Sequence, residues 1–178
     1  MVSNINIKKI MAKRVITKIG DVFIVNIGKT QKYFQYIAND LTMMNSSVIR
    51  VFKKEYPKGH SPSLIDIISD DIDFYAHVVL RWGIQSGLWE KVGHIQDVGQ
   101  IDNILFRCSK DYGVGANGKH IEISSRWEVW RINDEEMHYV GKLKGKNRNA
   151  DIGDIIPPYL IVDRMKNGMY SFYYPKFE

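Results

Sequence analysis

The sequence predicts a mainly β, α+β fold: a strongly bent antiparallel sheet or small β-barrel carrying one or two short helices. Two observations predict it. Apolar runs rich in β-branched and aromatic residues recur between turn-forming clusters, and only two short stretches carry helical start and stop signals. The composition agrees, since 178 residues that are 44% hydrophobic can bury roughly two-thirds of the unfolded chain's surface, which excludes a disordered class. The expected organisation is a basic N-terminal arm, residues 1–18, followed by one domain over 19–178.

The elements follow in order. "IGDVFIVNIGKTQKYFQYIAND" holds two apolar runs around "GKTQ" and predicts a hairpin. Both parities of Val22 to Ile27 are mostly apolar, so the first strand is expected to be covered on both faces. "SSVIRVFKKEY" predicts a third strand that Lys53, Lys54 and Glu55 lead out to solvent. Ser63 with Asp66 three positions on caps one or two helical turns. "DFYAHVVLRW" alternates as a strand, and with "GIQSG" and "LWEKVGHI" it predicts a hairpin over residues 73–95. "NILFRCS" is a further short strand, ending at the glycine-rich loop "KDYGVGANGKH".

In "SSRWEVWRINDEEMHYVGKL" the strand period sends Trp127 and Trp130 to opposite faces, with "NDEE" as the turn of a hairpin. One tryptophan is then expected in the core and the other at the surface. "PPYLIVDRMKNG" predicts a short helix with a proline start and a glycine stop, and "MYSFYYP" a last strand closing the sheet.

Charge is asymmetric. The first twenty residues hold Lys8, Lys9, Lys13, Arg14 and Lys18 and no acid, so the +5 total leaves the rest of the chain balanced. One cysteine, Cys108, precludes an internal disulfide and fits a reducing, cytoplasmic setting; no run approaches the ~20 apolar residues of a membrane span.

Five scattered histidines show no metal-ligand spacing. The loop "YGVGANGK" lacks the ending of a phosphate-binding loop, and no serine, cysteine or lysine nucleophile stands in a recognisable motif. Neither enzyme activity, nor a metal, nor a cofactor is expected. Lys142, Lys144, Lys146 and Arg148 beside Trp130 and Tyr139 leave open a nucleic-acid patch, working with the basic arm.

"RWEVWRI", "YVGKL", "IGDIIPP", "IVDRMKNGMYSF" and the closing "YYP", with "GDVFIV", "YFQY" and "SGLWEKVG" earlier, resemble the immunity protein 26 family of bacterial polymorphic toxin systems. The resemblance covers about Gly20 to Tyr174. It implies a cytoplasmic antitoxin that binds a cognate toxin domain and blocks it sterically, without catalysis. Candidate anchors, chosen because strand alternation can bring each to a surface, are Arg81, Trp89, Trp130 and Tyr139. Asp70, Asp71, Asp73, Glu135 and Glu136 are candidates for an acidic face.

Overall fold

A computed structural model describes residues 16–111 and 113–178; Lys8, Lys9, Lys13 and Arg14 of the basic arm lie outside the described residues. In chain order the elements are β1 (Asp21–Ile27), β2 (Thr30–Asp40), β3 (Ser46–Phe52), β4 (Tyr56–Pro57), α1 (Leu64–Ile68), β5 (Ile72–Val78), α2 (Leu80–Gln85) and β6 (Glu90–His94). Then come β7 (Leu105–Ser109), β8 (Ile123–Ser124), β9 (Trp127–Arg131), β10 (His138–Gly141), a 3₁₀ turn (Gly145–Asn149), β11 (Asp151–Ile152), β12 (Ile155–Ile156), α3 (Pro158–Asn167) and β13 (Lys176–Phe177). Among these, no helix is long and apolar enough to cross a membrane.

The fold is mainly β, with bent sheets that do not close into a barrel. The large sheet runs β12-β5-β3-β2-β1-β6, with β4 also on β2; a second sheet runs β10-β9-β7-β11, and β13 pairs β8. The expected antiparallel pairing holds for the long strands. The short strands β11, β12 and β13 pair in parallel, so the sheets are mixed.

Strand parity sorts the core. Phe23, Val25, Phe34, Ile49, Val51, Phe74, Ala76 and Val78 form one face of the large sheet and pack beneath Leu80 of α2, Trp89, and Leu160, Ile161 and Met165 of α3. On the other face α1 covers Val22, Tyr33 and Phe52 through Ile67. The second sheet covers Ile37 and Val48 on that same face through Phe106 and Trp130. The first strand is therefore covered on both sides, as its apolar parities require.

Several elements match the sequence reading. The 20–38 hairpin closes through Gly28 at a φ of 62°; Ser63 Oγ accepts from Asp66 N at the start of α1; and α3 begins at Pro158 and ends on left-handed Gly168.

Two expectations are corrected. Residues 73–95 are not a hairpin: β5 ends at Val78, and Leu80–Gln85 winds into α2 so that Leu80 and Gly83 both face the core. β6 then crosses to the far edge, beside β1. The apparent alternation through Arg81 and Trp82 cannot be told from a single helical turn at that length. "MYSFYYP" is not a strand either. Tyr170 stacks on Phe172 at 5.1 Å, Phe172 meets Tyr174 edge-on at 6.1 Å, and only Lys176–Phe177 pairs, with β8.

Two of the three buried tryptophans need a glycine. A Cβ added to Gly83 would stand 2.0 Å from the Trp89 ring, and one added to Gly153 would stand 2.0 Å from Trp130. The Gly153→Ala variant is expected to lose roughly 1–3 kcal/mol in a denaturant titration, the cost of overpacking a closed site. An unchanged midpoint would show that Trp130 is not clamped against that backbone.

Candidate interaction surface

The turn "NDLTMMNSS" between β2 and β3 buries one carboxylate and exposes two large apolar side chains. Asp40, fully buried, accepts from His77 Nε2 at 2.8 Å and Trp130 Nε1 at 2.9 Å on one oxygen. Its other oxygen accepts from the backbone N–H of Asn133 at 2.9 Å and of Thr42 at 3.0 Å. The donors come from β5, β9, the β9–β10 turn and the β2–β3 turn, so a single side chain ties both sheets and both turns together. Burial pushes the Asp40 carboxyl upward, but the bonds from His77, Asn133 and Trp130 outweigh it and hold it well below the ordinary carboxylate range. His77 is fully buried as well, its ring 4.1 Å from Phe106; its Nδ1 has no hydrogen-bond partner, which assigns the proton to Nε2.

Above this node the two turns are laced directly. Leu41 N donates to Asn133 Oδ1 at 2.8 Å and Thr42 Oγ1 donates to the Asp134 carbonyl, while Arg131 N donates to Asp134 Oδ2 at 2.8 Å within the β9–β10 turn itself. Met44, Asn45 and Asn133 all lie in the left-handed region, with φ of 53°, 54° and 64°. Asparagine tolerates that conformation; a methionine there is strained by roughly 1–2 kcal/mol. Yet Leu41 and Met44 bury little of themselves, being 71% and 77% exposed. Glu135 and Glu136 stand exposed beside them and form no ion pair among the described residues.

Register places one more pair of residues at this end. Ser47 pairs with Val78, so α2 starts level with the β2–β3 turn, bringing exposed Arg81 and Trp82 to the same end of the sheet. Of the residues singled out from the sequence, Arg81, Glu135 and Glu136 thus lie at one end of the large sheet, Arg81 on the α2 face and the two glutamates on the face covered by the second sheet. Tyr139, 60% exposed, lies a few residues down the β10 edge.

The remaining candidates are elsewhere. Trp89 and Trp130 are buried, not surface anchors: Trp89 packs edge-on to Phe34 and donates to the Leu80 carbonyl, and Trp130 donates to Asp40. Trp127 is buried too, because the second sheet carries a core on both sides, so opposite parities both lead inward. Asp70, Asp71 and Asp73 do not join Glu135 and Glu136. They sit at the far end of the seven-residue β3, roughly 20 Å away at the rise of a strand. There Asp70 accepts from Lys54 N, Asp71 pairs with Lys53, and Asp73 pairs with Lys32.

In the basic run, Lys142 pairs with Glu178, while Arg148 donates to the Glu178 carbonyl and lies over Phe177. Two of its four cations are thus committed within the protein. Lys144 is exposed and Lys146 lines a cavity of about 390 Å³ with Arg131 and Asp151. Cys108 is half-buried, and burial together with nearby Glu128 pushes its thiol up to about 12. No group of three or more His, Cys, Asp or Glu side chains among the described residues is arranged to hold a metal ion.

Sequence reasoning passed over Leu41, Met44 and Trp82. The available signal is a five-residue connection, 41–45, bounded by Asp40 and Ser46 and holding Leu41, Met43 and Met44.

No family model, curated protein or solved structure matches the chain.

Asp40→Asn is expected to destabilise the protein by about 3–5 kcal/mol at neutral pH, since the buried donors lose a charged acceptor. Because the folded carboxyl titrates below its ordinary 3.8, its contribution is fully present above that value and is lost as pH falls through the folded one. The stability gap between wild type and variant, measured by urea titration, should therefore be constant near neutrality and close below about pH 4. A gap independent of pH would remove the Asp40 charge as its source.

Proposed function

We propose that the protein is an immunity protein, binding a toxin domain in the cytoplasm and occluding it without catalysis, as the resemblance to the immunity protein 26 family implies. The observation that carries this reading is the tip formed by Leu41 and Met44. Two large apolar side chains are held out in solvent on a turn whose backbone is strained at Met44 and anchored from below by Asp40. Folding alone gives no reason for that arrangement, whereas a rigid apolar projection lowers the ordering cost of docking.

Flanking Glu135 and Glu136 suit a partner whose apolar pocket is rimmed by lysine or arginine, and Arg81 with Trp82 extends the contact toward α2. A standard interface of about 800 Å² on each side accommodates these turns and the start of α2.

Two variants separate binding from folding. Met44→Gly removes the side chain and relieves the left-handed strain, so its melting temperature should hold or rise. Leu41→Asp changes an exposed position and should leave folding unaltered. Together they should weaken partner binding at least tenfold, about 1.4 kcal/mol. The assay is capture on tagged protein from nuclease-treated host lysate, followed by expression of the captured polypeptide with and without the bait. The reading requires a near-stoichiometric partner that arrests growth alone, is neutralised by the wild type, and escapes the double variant. A bait that returns alone, or a partner held equally by the variant, would sink it.

A further inference from the structure

On the other side of the molecule, β7, β11, the end of α3 and the aromatic segment 169–174 enclose an open cavity of about 380 Å³. It continues into a second of about 380 Å³ that shares Arg107, Ile152, Tyr174 and Lys176 with it and extends to Phe177. We propose that this cavity binds a small organic phosphate of nucleoside-monophosphate type: a phosphomonoester carrying a flat ring.

The cationic wall carries the argument. Arg107 is half-buried, and its Nε is inaccessible to solvent without a hydrogen-bond partner. It forms no ion pair among the described residues; its guanidinium lies 5.7 Å from the Trp127 ring and 5.1 Å from that of Phe177. Ring contacts explain where its stem packs, but they satisfy no N–H. Burial and the neighbouring positive charge of Arg164 both work against the Arg107 cation, while Tyr174 and Asp151 favour it.

Arg164 is fixed by Asp151 at 3.2 Å and lies over the rings of Phe74 and Tyr170 at 3.8 and 4.8 Å. Lys176, exposed at the rim, has no ion-pair partner among the described residues. Three cations therefore face one carboxylate, Asp151, which Arg164 and the Tyr75 N–H already occupy.

A phosphate monoester fits this donor set. It carries nearly two charges at neutral pH and three acceptor oxygens, and a guanidinium meets it with paired N–H groups in one plane. The Tyr170 hydroxyl, buried and without a hydrogen bond of normal geometry, adds a donor. Phe172, stacked on Tyr170 at 5.1 Å and 28°, also lines the cavity and supplies an aromatic ring on which a ring attached to the phosphate can stack. The volume is in the range of small-ligand sites.

The site is independent of the toxin-binding tip. Arg164 rests on Phe74, whose partner Val51 lies near the opposite end of β3 from the β2–β3 turn. Calorimetric titration of the full chain with adenosine 5′-monophosphate tests it, with adenosine and ribose 5-phosphate as partial probes. Wild type should bind one equivalent of the nucleotide with Kd below about 1 mM, and adenosine at least tenfold more weakly.

Arg107→Met, which keeps the apolar stem over Trp127, should lose at least about tenfold. Lys176→Gln should lose about threefold, and Lys144→Gln, outside the cavity, nothing. Should the Arg107 variant fail to fold, Lys176→Gln against Lys144→Gln, read with ribose 5-phosphate, decides. Absence of nucleotide binding at millimolar concentration, equal affinity for adenosine, or equal affinity in the Lys176 and Lys144 variants would overturn the assignment.

Discussion

The carboxylate of Asp40 is the constraint on which the rest of the fold depends. It ends β2, the longest strand of the large sheet, and accepts from groups that belong to four different segments. A buried anion of this kind is costly unless every lone pair is used. Here the two sheets must approach closely enough for Trp130 and His77 to reach it together, which fixes their spacing and the packing of Phe106 against His77. The close approach in turn excludes a side chain at position 153, over which the Trp130 ring lies. One charge thus dictates a glycine more than a hundred residues away in sequence.

The same node accounts for the conformation of the exposed turns. Backbone strain of the kind carried by Met44 persists only where the surroundings over-determine it. Thr42 N and Asn133 N are bound to one carboxylate, and Leu41 N and Thr42 Oγ1 are bound to the opposing turn. With Leu41 and Thr42 pinned before Met44 and Ser46 paired with Asp40 after it, relaxation of one residue would break bonds in another element. The projection of Leu41 and Met44 is a product of the interior, and a loop with the same sequence but no buried acceptor would collapse or fray.

How much of this was legible in the sequence divides by the range of the interaction. Local signals read correctly: the Ser63 cap, the proline start and glycine stop of α3, the 20–38 hairpin, and the turn at Asn133 to Glu136. Alternation misleads at Val79 to Trp82, because over four residues an apolar pattern has no unique period: Leu80 to Trp82 read as strand and Gly83 to Gln85 as turn, where the chain forms α2. The aromatic segment 169–175 looks like a strand by composition, yet its rings pack against each other and against Trp127 rather than lining a sheet. The acidic candidates were split because their grouping depended on which end of β3 each reached. That is a matter of sheet order and cannot be read from spacing.

The tryptophans show why surface anchors are hard to choose from residue type. Trp89, Trp127 and Trp130 each bury a large ring and each finds an acceptor for its indole N–H, at Leu80, Ser124 and Asp40. A tryptophan with such an acceptor loses nothing by burial and gains its full apolar area. Only Trp82, beside a helix start with its ring half in solvent, escapes this fate. What this end of the molecule exposes is therefore a set of ordinary side chains on turns whose backbone is left-handed at Met44, Asn45 and Asn133. A leucine, a methionine and two glutamates hold their places because the carboxylate beneath them leaves the turns no other conformation.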